Sequence, residues 1–161
     1  MKLLINNLEL LAGRTNPIFP EVVLQSRYRC YISELADDTD MLVAKKINTL
    51  LLTEFIVPLQ VNNEILNKAC KLREAEKVIS FTDCIDIETA RYENALLITP
   101  EQLVMDIAIQ NRVRVFPVHL IHRWLENQGK KIFATLELSP GNNRSIRIYP
   151  LNTRPLKRKV I

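Results

Sequence analysis

The chain has 161 residues, of which 47% are hydrophobic, 25% charged and 6% aromatic, with a formal net charge of +4. That length suits one domain with an appendage, and that apolar content is enough to build a core, which argues against a generally disordered chain. Cys30, Cys70 and Cys84 are scattered, without Cys-x-x-Cys or Cys/His ligand spacing, so they read as reduced thiols of a cytoplasmic protein rather than a disulfide framework or a zinc site.

The apolar start, MKLLINNLELLAG, is interrupted by Asn6, Asn7 and Glu9 and shows no basic leader or small-residue cleavage site. Neither a signal peptide nor a membrane span is expected. Charge is segregated: residues 1–118 hold 13 Lys and Arg against 16 Asp and Glu, whereas residues 119–161 hold 9 against 2. An acidic body with a basic tail can place carboxylates near a metal and basic groups near a polyanion. The same distribution also suits a soluble protein with a solvated basic C-terminus.

In chain order, residues 2–5 form a short apolar strand candidate, and Asn16-Pro17 and Phe19-Pro20 then break the chain. Residues 21–27 are helix-like and 29–33 extended. A long helical pattern spans 34–52, with Leu35, Leu42, Val43, Ile47, Leu50 and Leu51 as its apolar stripe. Its first turns are acidic, carrying Glu34, Asp37, Asp38 and Asp40, which dipole chemistry alone favours. Residues 55–59 are extended, and 61–75 are helical with Asn62 or Asn63 as cap.

The segment 81–102, FTDCIDIETARYENALLITPEQ, is the most informative. A helix over 83–93 carries Cys84, Ile87 and Ala90 at helical spacing, with Ile85 and Tyr92 beside them. Residues 95–98 form a continuous apolar strand of the kind covered on both faces. Thr99 is the expected N-cap of the next helix, with Pro100 at its first position and Gln102 completing a capping box. This order delivers the carboxylates of Asp83 and Glu101 to one end of a parallel sheet, where they can hold a metal ion.

Residues 112–118 alternate basic and apolar side chains, as an edge strand does. Strand and helix therefore alternate over 1–118, the pattern of an α/β sandwich with a mainly parallel sheet. Beyond it, 119–128 form a short helix bearing Trp124, and 130–138 and 145–151 form a β-hairpin around Ser-Pro-Gly-Asn-Asn. The expected division is a domain over 1–118 and a basic helix-and-hairpin extension over 119–161.

Several segments resemble the PIN domain family, a small α/β fold whose members are commonly metal-dependent ribonucleases, many of them toxins of bacterial toxin–antitoxin pairs. Residues 1–12 look like the family's opening strand and helix start, and Ile32-Ser33-Glu34-Leu35 like the entry to its second acidic helix. Residues 80–90 are similar to its acidic helix, with Asp83 at the acidic position and Thr89-Ala90 at the close. Leu97-Ile98-Thr99-Pro100-Glu101 looks like its last strand and acidic turn. The resemblance implies a three-layer α/β/α sandwich and a Mg²⁺- or Mn²⁺-dependent endoribonuclease site, with Asp83, Glu101 and one acid of the Glu34, Asp38 and Asp40 group as ligands. Asp38 is the acid chosen from that group, and Asp86, one turn from Asp83, can join it.

The departures from the family matter as much. The first expected aspartate falls at Asn6, whose amide offers an oxygen without charge, and Glu101 stands where aspartate is usual. Catalysis is accordingly expected to be reduced or lost. Asn6 is expected to hydrogen-bond Asp83 or Glu101.

Each acid also has a structural explanation: Asp83 as the N-cap of its helix, Asp86 as a solvated helix acid, and Glu101 as a first-turn acid. His119 and His122 are spaced to share a metal, but no third ligand lies near in sequence. Arg112, Arg114, Lys130, Lys131, Arg144 and Arg147 are candidate phosphate contacts. The expected partners are RNA, an antitoxin-like or other protein, or a second copy of the chain, and no membrane. The alternative to an impaired nuclease is a non-catalytic module that binds RNA or protein through the basic extension.

Overall fold

A computed structural model describes residues 2–17, 19–20, 29–35 and 41–118, together with the backbone of 132–138 and 144–150. Its core is a parallel sheet of β1 (Leu3–Ile5), β2 (Cys30–Ser33), β3 (Ile56–Leu59), β4 (Leu96–Thr99) and β5 (Arg114–Pro117), in the order β3-β2-β1-β4-β5. The helices are α1 (Leu8–Ala12), α2 (Met41–Leu52), α3 (Asn63–Ala75), α4 (Phe81–Tyr92) and α5 (Gln102–Gln110). A separate antiparallel pair, β6 (Ile132–Leu138) and β7 (Arg144–Pro150), forms the expected hairpin. Among the described residues, no helix is long and apolar enough to cross a membrane.

The three layers follow from the two-residue period of the strands. Leu3, Ile5, Leu96, Ile98 and Phe116 turn to one face, where α1 and α2 contribute Leu8, Leu11, Val43 and Ile47. Leu4, Leu97 and Val115 turn to the other, against Ile65, Ala69, Ile87, Val104 and Ala108 of α3, α4 and α5. With both faces covered, the central strands β1 and β4 are buried throughout. Each fully buried Leu or Ile here contributes about 1.5–3 kcal/mol relative to exposure. Within the five-stranded sheet, proline occurs in the outer strands, Pro58 in β3 and Pro117 in β5, where a missing backbone donor is tolerated.

Several boundaries differ from the sequence reading. The helix expected over 34–52 begins only at Met41 among the described residues, because Glu34 and Leu35 lie in a turn. There Glu34 Oε1 accepts from Val61 N at 2.6 Å. Leu42, expected in the buried stripe, is 69% exposed. The helix α5 begins at Gln102, since Thr99 stays in β4 and Glu101 is the cap residue without a side-chain cap bond.

Arg112 belongs to a turn with φ +61°, ahead of β5 rather than on its exposed face, and Val115 to Pro117 are continuously buried. By contrast, α3 keeps its expected cap: Asn62 accepts from Ile65 N at 2.9 Å. The helices expected over 21–27 and 119–128, with His119, His122 and Trp124, lie outside the described residues.

Candidate functional site

The sheet order makes β1 and β4 the point where the chain reverses direction across the sheet: β2 and β3 lie to one side of β1, β4 and β5 to the other. In parallel sheets of this kind, the crevice at the C-terminal ends of the strands at such a reversal is where ligands bind. Register carries Asn6 there. Ile5 pairs with Ile98, so the next residue of each strand brings Asn6 beside Thr99. The backbone continues the match, with Asn6 N donating to Ile98 O at 3.0 Å.

The acids reach this crevice from the first turns of α4. Ser80 is the N-cap: its hydroxyl accepts from Asp83 N at 3.0 Å, and Asp83 Oδ2 accepts from Ser80 N at 2.9 Å and from Ser80 Oγ at 2.6 Å. Asp83 is therefore the reciprocal member of a capping box and not the N-cap itself. Asp86, one turn further on, is fully buried rather than solvated. All residues from Cys84 to Ala90 are buried, so α4 is covered all round and its polar side chains must find partners inside. Glu88 does so through Arg91, whose Nε donates to Glu88 Oε2 at 2.9 Å.

Asn6 is the hub of the site. Its Nδ2 donates to Asp83 Oδ1 and to Asp86 Oδ2, each at 2.9 Å, and its Oδ1 accepts from Thr99 Oγ1 at 2.9 Å. Three elements, β1, β4 and α4, meet in one amide. Asp83 and Thr99 fix its orientation: the Asp83 carboxylate takes the amide nitrogen, the end that donates, and the Thr99 hydroxyl donates to the amide oxygen.

Among the described residues, Asp86 Oδ1 and Thr89 Oγ1 are buried without a hydrogen-bond partner. Burial pushes the Asp86 carboxyl well above the ordinary aspartate range. The negative charge of Asp83 adds to that shift and the Asn6 hydrogen bond opposes it.

The remaining candidates among the described residues do not converge on this hub. Glu101 is exposed, and its Oε1 accepts from Asn7 Nδ2 at 3.4 Å rather than from Asn6. Asp38 and Asp40 lie outside the described residues, as do Lys130 and Lys131; Arg144 and Arg147 are placed in β7 by backbone alone. Arg114 opens β5 and pairs in register with Leu96, so it lies at the N-terminal end of the sheet, opposite the acids. Its Nη2 donates to Asn94 O at 2.6 Å and to Asn94 Oδ1 at 3.0 Å.

Among the described residues, no group of three His, Cys, Asp or Glu side chains comes together to hold a metal ion. Nor is either buried thiol a ready nucleophile: burial pushes Cys30 up to about 12, and burial with the nearby Asp83 charge pushes Cys84 up to about 11.

No family model matches the chain, and no curated protein matches it. Solved structures do. A chain of the crystal structure of VapBC2 from Rickettsia felis, bound to a DNA fragment from their promoter, is 12% identical with a TM-score of 0.53, over 73% of this chain and 98% of that one. A chain of the crystal structure of FitAcB from Neisseria gonorrhoeae is 16% identical with a TM-score of 0.50, over 72% and 96%. At such identities the likeness is one of fold. The chain is an α/β protein with a PIN-like three-layer sandwich, as the resemblance in its sequence implies.

Proposed function

We propose that this chain is a PIN-like domain of the metal-dependent ribonuclease type in which catalysis is reduced or lost. The observation that carries the reading is the amide nitrogen of Asn6, bonded to both Asp83 and Asp86. Hydrolysis of a phosphodiester at such a site relies on Mg²⁺ or Mn²⁺ held by oxygen ligands, to activate water and stabilise charge on the phosphate. The described residues at this crevice do not fit that ion, because a donor rather than an oxygen faces the two carboxylates, and Glu101 is turned to Asn7.

What the site keeps is its shape. The likeness to VapBC2, crystallised bound to a DNA fragment from their promoter, supports a role inside a protein complex, with an antitoxin-like partner the first to seek. In the direct test, the full chain is incubated with a mixed-sequence RNA in MgCl₂ or MnCl₂. The RNA is expected to stay intact on a denaturing gel. Manganese-dependent cleavage that disappears in Asp83→Ala and is as fast as that of Asn6→Asp would overturn the proposal.

A second reading is favoured by the charge segregation, with 9 basic against 2 acidic residues over 119–161. In it, the basic extension binds RNA or an acidic protein without any chemistry at the crevice.

A further inference from the structure

We infer that Asn6 turns the acidic centre into a strut that needs no cation, its amide group taking the place between Asp83 and Asp86 that a divalent ion would occupy. The inference rests on the PIN-like reading above and goes beyond loss of catalysis: the site becomes a structural joint whose integrity is independent of metal.

A cation bridging two carboxylates needs oxygens converging on one point. Here the point reached by Asp83 Oδ1 and Asp86 Oδ2 is a nitrogen, 2.9 Å from each. That is the length of an N–H···O bond; magnesium would sit at about 2.1 Å from its oxygens.

Of the remaining oxygens of these three side chains, Asp86 Oδ1 alone has no partner among the described residues, and a single buried oxygen is not a cation cage. Asp83 Oδ2 accepts twice from Ser80, and Asn6 Oδ1 accepts from Thr99. To present its oxygen to an ion, the amide would have to turn over, breaking both carboxylate bonds at once.

The amide also does the joining that an ion would do. It ties the end of β1 to the end of β4 through Thr99, and both to the first turns of α4. Asn6 is buried, so its bonds are shielded from competing water. An aspartate at the same position would add a third carboxylate to this buried pocket and remove the only side-chain donor shown reaching both acids. The pocket would then need a cation.

The experiment follows thermal unfolding of the full chain in EDTA, MgCl₂ and MnCl₂, for the wild type and for Asn6→Asp, with calorimetric titration of MnCl₂ into the wild type. The wild type is expected to melt at one temperature in all three conditions and to give no saturable heat. Asn6→Asp is expected to melt several degrees lower in EDTA and to recover in MnCl₂.

The inference is overturned by a wild-type melting temperature that rises with manganese, by a saturable manganese heat that Asp83→Asn abolishes, or by Asn6→Asp being as stable as wild type in EDTA. Should Asn6→Asp not fold in any condition, the wild-type titration decides alone. No RNA or protein partner enters these measurements. Failure to find either would leave the strut standing, and a manganese response would overturn it whatever the partner.

Discussion

At the scale of single residues, Asp86 is the most consequential side chain that sequence reading undervalued. Its spacing from Asp83 placed it on the same face, as an acid able to join the site or a solvated helix acid, and neither reading implied complete burial. Its burial arises from packing between the sheet and the neighbouring helices, which periodicity within one helix does not report. Asn6 was more legible, because its bond to Asp83 follows from the position it takes in the PIN-like pattern; its second bond, to Asp86, depends on how α4 is seated.

The buried carboxyl has a consequence in solution. Between the ordinary aspartate value of 3.8 and its raised folded value, the folded chain keeps a proton that the unfolded chain has lost, so stability falls as pH rises through that window. Asp86→Asn removes this titration, leaving Asp83 as the charged group facing the hub. Urea unfolding at a series of pH values between about 5 and about 8 is expected to show a flatter profile for Asp86→Asn than for wild type. Parallel profiles would mean that Asp86 does not titrate in this way.

At the scale of elements, local chemistry explains both the successes and the displaced boundaries. The α3 helix begins where its asparagine cap requires, and the apolar runs became strands nearly where they stood. The start of α5 is displaced although Thr99 makes the local bond of a cap, accepting from Glu101 N at 3.2 Å. Its backbone stays in β4 while its hydroxyl proton goes to Asn6, so one side chain serves both the strand end and the helix entry. Similarly, α4 starts at Phe81 because Ser80, not Asp83, supplies the cap.

Ser80→Ala should therefore cost about 1 kcal/mol in urea unfolding, the usual worth of an N-cap. It also frees Asp83 Oδ2 of the shortest bond it accepts. If Ser80→Ala leaves stability unchanged, the capping box is not holding the first turn of α4.

At the scale of the whole molecule, the PIN-like sheet gathers its acids at one end while Arg112 and Arg114 sit at the other, about the length of a four-residue strand away at roughly 3.3 Å per residue. These arginines and the crevice cannot grip the same phosphate. RNA affinity, if the chain has it, is then expected to come from the basic extension. Filter binding should weaken steeply with salt, and replacing Lys130, Lys131, Arg144 and Arg147 by alanine should reduce the salt slope by about one for each phosphate that is no longer neutralised. An unchanged slope would mean that other cations grip the RNA.

The shortest strand of the sheet, β1, is also its middle one. Leu96 N donates to Lys2 O just before it, and Asn6 N donates to Ile98 O just after it. A strand fastened at both margins and covered on both faces has no frayed end from which to peel, and openings of such a segment are those of the entire fold. The keystone amide thus rides on the part of the protein that is last to give way. Its grip on the two carboxylates fails only when the architecture around it fails as well.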